Sequence, residues 1–214
     1  MIIQQVLKGI SGINEGDVDA IFASGIICNW WRNIGLLPAA EVPPRLTERN
    51  LYWHQNRYEE PDPLWGNIEF KEHTPFISTT AGSVERDAFN RTNTLYPAWW
   101  EALRFATNFW TTDGWIFYCY AWIFGKKTFE HRAFSEELRE LHIYSDFSLY
   151  QLEGEITAKI QIPTAQIEKA EQWRLSDILT AVSNGNLPTP VQTKFNDDFF
   201  SDPSTYNNVR SVLA

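Results

Sequence analysis

Two carboxylates, Glu153 and Glu155, stand at alternate positions in QLEGEITAKIQIP, residues 151–163, where an apolar strand begins. Residues two apart in a strand share a face, so both acids project into one space. Like charges held together out of water raise at least one carboxyl pKa unless a cation or a solvent-filled cleft compensates. Paired acids of that kind are suited to proton transfer and to stabilising positive charge on a substrate. A solvated strand edge is the alternative that the pair alone leaves open.

The elements that position these acids follow from composition and punctuation. The chain has 214 residues and 43% hydrophobic content, enough for one well-packed domain with a small flanking segment. Aromatic residues make up 15%, with ten Trp, and rings in that number fill cores and ligand clefts. A formal charge of −9 and a pI near 4.9 argue against a broad phosphate-binding face, so no nucleic-acid partner is expected, while a locally basic groove stays open. Cys28 and Cys119 read as two buried thiols, without a disulfide framework or a zinc cluster. The longest apolar run, Trp115–Phe124, is about half of the ~20 residues a membrane helix needs and reads as a buried strand. The first residues lack a basic stretch followed by a continuous apolar one, so no cleavable signal peptide is expected.

Residues 16–36 carry apolar positions at helical spacing, with Asp17 as a cap and Gly35 as a stop, and predict a helical N-terminal segment. LLPAAEVPPR (36–45) is an extended connector. LYWHQ (51–55), TPFISTT (74–80), GWIFYCYAWIF (114–124) and EITAKIQI (155–162) predict strands. YPAWWEALRFATNFW (96–110), with Pro97 in its first turn, predicts an amphipathic helix. Shorter helices are expected over 135–142 and 176–184. The chain thus divides into a helical segment with its connector (1–48), a central domain (49–185) and a polar tail (186–214) with partial order at best.

EGEITAKIQIPTAQI resembles the catalytic strand of mono-ADP-ribosyltransferase toxins of the cholera-type enterotoxin A-subunit class. The matching residues are Glu153, Glu155, Ile162-Pro163 and Ile167. FISTT (Phe76–Thr80) is similar to the family's aromatic-x-Ser-Thr-Ser strand, and EALRFAT followed by DGWIFYCYAW resembles its helix and next strand. The three pieces occur in the family's order over residues 50–170. The resemblance implies an α+β fold, a split β-sandwich of two mostly antiparallel sheets with an NAD cleft and helices packed outside. It implies NAD as co-substrate, no metal, and cleavage of the nicotinamide–ribose bond through an oxocarbenium-like transition state. Glu155 would bond the ribose 2′-hydroxyl and stabilise that cation. Glu153 would orient and help deprotonate an acceptor guanidinium, whose pKa above about 12 otherwise makes it a poor nucleophile. Ser78 would hold the catalytic glutamate and shape the nicotinamide pocket, with Thr79 and Thr80 in support; a hydroxyl serving local backbone is its alternative. Phe147 and Tyr150 occupy the place of the family's substrate-recognition turn, or are core residues.

The pattern departs from the family at its first strand, which carries a phosphate-binding arginine after Leu-Tyr. Here Leu51-Tyr52 is followed by Trp53, and an indole cannot make an arginine's charge-assisted phosphate contacts. His54 through a one-residue bulge, Arg57 at the strand end, or Arg86 or Arg91 further on would each restore a cation, and His54 with Arg57 is the expected pair. Gln151-Leu-Glu153 offers a second register of the acid motif, but the offset to Ile162-Pro163 selects Glu155.

The activity so implied is NAD-dependent transfer of ADP-ribose to a protein arginine by a toxin or effector, secreted or delivered into a target cell's cytoplasm. Its partners would be the acceptor protein and an activator or immunity protein, with no membrane. An NAD glycohydrolase, and a silent binding module that lost phosphate recognition with the arginine, are the alternatives. A tryptophan-rich carbohydrate-binding domain leaves the ordered motifs unexplained.

Overall fold

A computed structural model describes residues 2–34, 43–80, 83–86, 93–96, 98–123 and 155–200. The first half runs β1 (Ile2–Ser11), α1 (Glu15–Ser24), β2 (Ile26–Ile27), α2 (Asn29–Ile34), α3 (Glu48–Asn56), β3 (Pro61–Asp62), β4 (Ile68–Glu69) and β5 (Phe76–Thr80). There follow β6 (Ser83–Arg86), β7 (Asn93–Tyr96), α4 (Ala98–Ala106), β8 (Gly114–Ile123), β9 (Glu155–Lys159), β10 (Gln161–Ile162), β11 (Ile167–Trp173), α5 (Leu175–Ser183) and β12 (Gln192–Phe195). Six strands form one antiparallel sheet in the order β12-β11-β8-β1-β5-β9, and β2/β10, β3/β4 and β6/β7 form two-stranded ribbons. The protein is therefore mixed α+β around a large antiparallel sheet. Among the described residues no helix is long and apolar enough to cross a membrane.

The pleat of β8 explains why its sequence is apolar throughout. Trp115, Phe117 and Cys119 enter one core with Val6, Phe22, Trp30 and Leu51, while Ile116 enters a second with Leu7, Ala102, Leu103 and Ala106 of α4. A sheet covered on both faces needs no polar alternation. Helix α4 lies so close to the sheet that two glycines are required beneath it. A Cβ on Gly9 would overlap the Ala102 carbonyl oxygen, and one on Gly114 the Ala106 carbonyl oxygen.

Several expected elements take a different form. The N-terminal segment is not only helical: β1 pairs with β8 along its whole length, from Ile2↔Ile123 to Ser11↔Gly114, and sits inside the sheet. The helix expected over 16–36 is two helices separated by β2, and its cap is Asn14. Asn14 Oδ1 accepts from the Gly16 and Asp17 N–H groups (2.8 and 3.2 Å), while Asp17 Oδ2 accepts from the Asn14 N–H (2.8 Å). LYWHQ lies in helix α3, not in a strand. Thr47 caps that helix by accepting from the Asn50 N–H (3.2 Å), and the buried Asn50, Leu51, His54 and Gln55 recur at helical spacing. EITAKIQI breaks into β9 and β10 at buried Ile160, whose φ of 64° is costly for a β-branched residue. Its N–H donates to Pro75 O (2.9 Å) and its carbonyl accepts from the Cys28 N–H (2.8 Å), which holds the kink. Within the polar tail, Gln192–Phe195 add an edge strand to the sheet. The helix expected over 135–142 lies outside the described residues.

Candidate functional site

Strands β1 and β5 share a single registered pair, Leu7↔Thr80, although each is fully paired on its other side. A cleft of about 290 Å³ opens there, a size at the small end of ligand pockets, walled by β1, the segment from β2 to α2, α3, β5 and the end of α4.

Ser78 faces this cleft from β5, and His54 reaches it from α3. His54 is buried and both ring nitrogens are engaged: Nε2 is 2.8 Å from Ser78 Oγ and Nδ1 is 2.8 Å from Thr74 Oγ1. The Phe76 N–H donates to the same Thr74 oxygen (3.3 Å), which fixes the hydroxyl beside Nδ1; the direction of the two imidazole bonds follows the ring's tautomer.

Position 155 arrives beside this serine through the sheet. Strand β9 pairs with β5 in the register Ser78↔Thr157 and Thr80↔Glu155, so position 155 is one pleat repeat from the Ser78 pair on the same face. Glu153, Gln151, Phe147 and Tyr150 lie outside the described residues, as does Arg91.

Among the described residues, the charged side chains lining the cleft are basic, opposite in sign to the chain as a whole. The described lining carries Lys8 from β1 and Arg32 from α2 and contains no carboxylate, in a protein of formal charge −9. Arg32 is exposed and anchored by a bond from Nη2 to Ile27 O (3.0 Å). Cations set in a concave wall raise the local concentration of anions. Cys28 also lines the cleft, but burial pushes its thiol up to about 11, so it is not a nucleophile near neutrality.

No protein-family model matches the chain, and no curated protein matches it.

The remaining expected residues are placed as follows. Thr79 is buried in β5. Arg57 is turned away from the cleft, paired with Glu60 (3.3 Å) and stacked 5.3 Å from the Trp53 ring centroid. Trp53 holds a second guanidinium, Arg49, at 4.5 Å, so this indole organises the outer face of α3. The bulge expected to present His54 is absent because the residue is helical; it reaches Ser78 from the helix instead. Arg86 lies in β6. Among the described residues no cluster of three or more His, Cys, Asp or Glu side chains is placed to hold a metal ion.

Lys8, Arg32 and Thr74 were not singled out by the sequence reading. A glycine inside a strand pattern marks a close backbone approach, and Lys8-Gly9 within IIQQVLKGIS carried that signal. Arg32 and Thr74 carried none, because a lone arginine after WW and a threonine before proline are ordinary.

Proposed function

We propose that the chain is an NAD-dependent mono-ADP-ribosyltransferase of split-sandwich architecture that modifies a protein side chain, arginine by its Glu-x-Glu pattern. The observation that carries this reading is the β5/β9 register, which brings position 155 and Ser78 onto one strand pair at the edge of a cationic cleft. The single Leu7↔Thr80 junction supports the architecture, since it is where the sheet would part into two halves around the dinucleotide.

The reading also accounts for the missing arginine. LYWHQ is not the strand that must supply a cation; β1 stands inside the sheet and brings Lys8 to the cleft wall. Lys8 and Arg32 contact the pyrophosphate. Glu155, steadied by the Thr74–His54–Ser78 relay, meets the ribose 2′-hydroxyl. The glycosidic C–N bond breaks, nicotinamide leaves with the bonding pair, and positive charge spreads over ribose C1′ and its ring oxygen. The acceptor nitrogen then bonds to C1′ and passes its proton to Glu153. A toxin or effector delivered to a target cell is the setting that fits this activity.

The test is incubation of the purified chain with labelled NAD and cell lysate, beside Glu155→Ala and Glu153→Ala. Label on protein that disappears with Glu155→Ala supports the transferase. Nicotinamide release that survives Glu153→Ala while transfer fails assigns the acceptor role to Glu153. Nicotinamide release by the unmodified chain without protein label points to an NAD glycohydrolase. Neither product, in lysates that supply activators, overturns the reading.

A further inference from the structure

Helix α4 ends in a turn that keeps one aromatic ring, Phe109, at the cleft mouth against its backbone preference. The Phe109 N–H donates to Arg104 O (2.7 Å) and the Asn108 N–H to Phe105 O (3.1 Å), a Schellman pattern in which Asn108 takes the usual left-handed position at φ 45°. The chain then remains at positive φ through Phe109 (54°) and Trp110 (67°), where glycine or asparagine would be the ordinary choice. The turn is fixed by the N–H groups of Thr111 and Thr112 donating to Thr107 O (2.8 and 3.0 Å), and by the Trp110 N–H donating to Thr107 Oγ1 (3.2 Å). Phe109 is nevertheless 51% exposed, so core packing does not explain its ring.

Phe105, Asn108 and Phe109 all line the cleft, and the two rings meet edge to face with centroids 5.4 Å apart. Arg104, paired with Glu101 at 3.0 Å, places its guanidinium 5.5 Å from the Phe109 centroid and 5.9 Å from that of Phe105. Asn108 Nδ2 donates to Thr111 Oγ1 (3.0 Å), which leaves Oδ1 to accept from a ligand amine.

We propose that Phe109, with Phe105 and Asn108, seats the adenine base of the dinucleotide at the cleft mouth. The inference rests on the reading of the cleft as an NAD site. Of the two heterocycles in NAD, nicotinamide must lie at the Ser78 end, where the bond breaks and water has to be excluded, so adenine takes the open end. Arg104 is already paired with Glu101 at the ring pair, and the exposed Phe109 ring offers a neutral heterocycle a stacking face. Asn108 Oδ1 matches adenine's exocyclic amine, and an exposed ring is the stacking face a base requires.

Calorimetric titration of the full chain with adenosine monophosphate and with nicotinamide mononucleotide separates the ends of the cleft. Phe109→Asn is the variant, because asparagine tolerates positive φ. It is expected to weaken adenosine monophosphate binding by roughly 5- to 150-fold, leave nicotinamide mononucleotide binding unchanged and not lower the melting temperature. Equal weakening of both probes, or no weakening of adenosine monophosphate while NAD is still cleaved, overturns the adenine seat. So does failure of the unmodified chain to bind adenosine monophosphate. Phe109-dependent adenosine monophosphate binding without any NAD cleavage upholds the seat and overturns the transferase reading instead.

Discussion

Replacing Thr74 by valine removes one hydroxyl at nearly constant volume from a residue that is 1% exposed and does not line the cleft. Any effect on turnover must therefore travel through His54. In the intact chain the Thr74 hydroxyl accepts from the Phe76 N–H at 3.3 Å and is hydrogen-bonded to His54 Nδ1 at 2.8 Å. Without it the bond at Nδ1 is lost, and the ring that meets Ser78 Oγ through Nε2 at 2.8 Å is less firmly oriented. A hydrogen bond of this kind has a net worth of about 0.5–1.5 kcal/mol, which converts to roughly a 2- to 12-fold fall in kcat. On the proposed reading KM for NAD stays unchanged, because Lys8 and Arg32 are untouched. Leaving a buried group unpaired costs about 1–3 kcal/mol, or roughly 2–12 °C in melting temperature for a chain of this size. The assay is the initial rate of nicotinamide release against NAD concentration, well below the variant's transition, in a cycle with Ser78→Ala. Coupling predicts that the double variant loses less than the product of the two single effects. An unchanged kcat, an effect confined to KM, or strictly multiplicative losses would refute the relay.

Lys8→Met should raise KM for NAD by roughly 10- to 150-fold, the worth of a charge-assisted bond of about 1.5–3 kcal/mol, with Lys8→Arg near the original; KM measured across ionic strength checks it, and an unchanged KM in Lys8→Met removes this lysine from phosphate binding. Gly114→Ala drives a Cβ into the Ala106 carbonyl oxygen and to 2.7 Å from Ile10 O, so α4 must lift. Thermal denaturation should show a loss of about 1–3 kcal/mol, and an undiminished melting temperature would disprove the close approach. Burial lowers the His73 pKa below its ordinary 6.5, and Arg45, whose Nη2 lies 2.7 Å from His73 Nδ1, lowers it further against the pull of Asp62. His73 therefore contributes stability that is complete above pH 6.5 and is lost as pH falls below that value toward its depressed folded pKa. His73→Gln should flatten the pH dependence of the melting temperature in that window, and an unchanged slope would exclude His73 as its source.

What was legible depended on whether local pattern and tertiary environment agreed. The apolar runs of β5 and β8 read as strands because burial on both faces leaves no other period, and YPAWWEALRFATNFW carries a strong helical period that α4 realises. The turn closing α4 was not legible, since Asn108, Phe109 and Trp110 are poor candidates for positive φ and only tertiary hydrogen bonds hold them there. LYWHQ misled for a related reason. One leucine, three ring side chains and one amide fit either period, and the deciding signal was Thr47, four residues upstream of the run, whose hydroxyl caps the helix.

That one misreading also produced the missing cation. A strand placed at residues 51–55 puts Trp53 where a phosphate ligand is required, and a tryptophan there argues for a silent pocket. With those residues helical, Trp53 faces Arg49 and Arg57 and has no bearing on the cleft. The sheet's N-terminal strand is then β1, whose apolar positions Val6 and Ile10 face one core while Leu7 faces the other. Between Val6 and Ile10, on the same face of the pleat, stands Lys8, the one charged residue in a strand packed on both sides. That register carries Lys8 to the wall of the cleft beside the Leu7↔Thr80 pair, a placement that follows from β1 lying inside the sheet and not from residues 51–55.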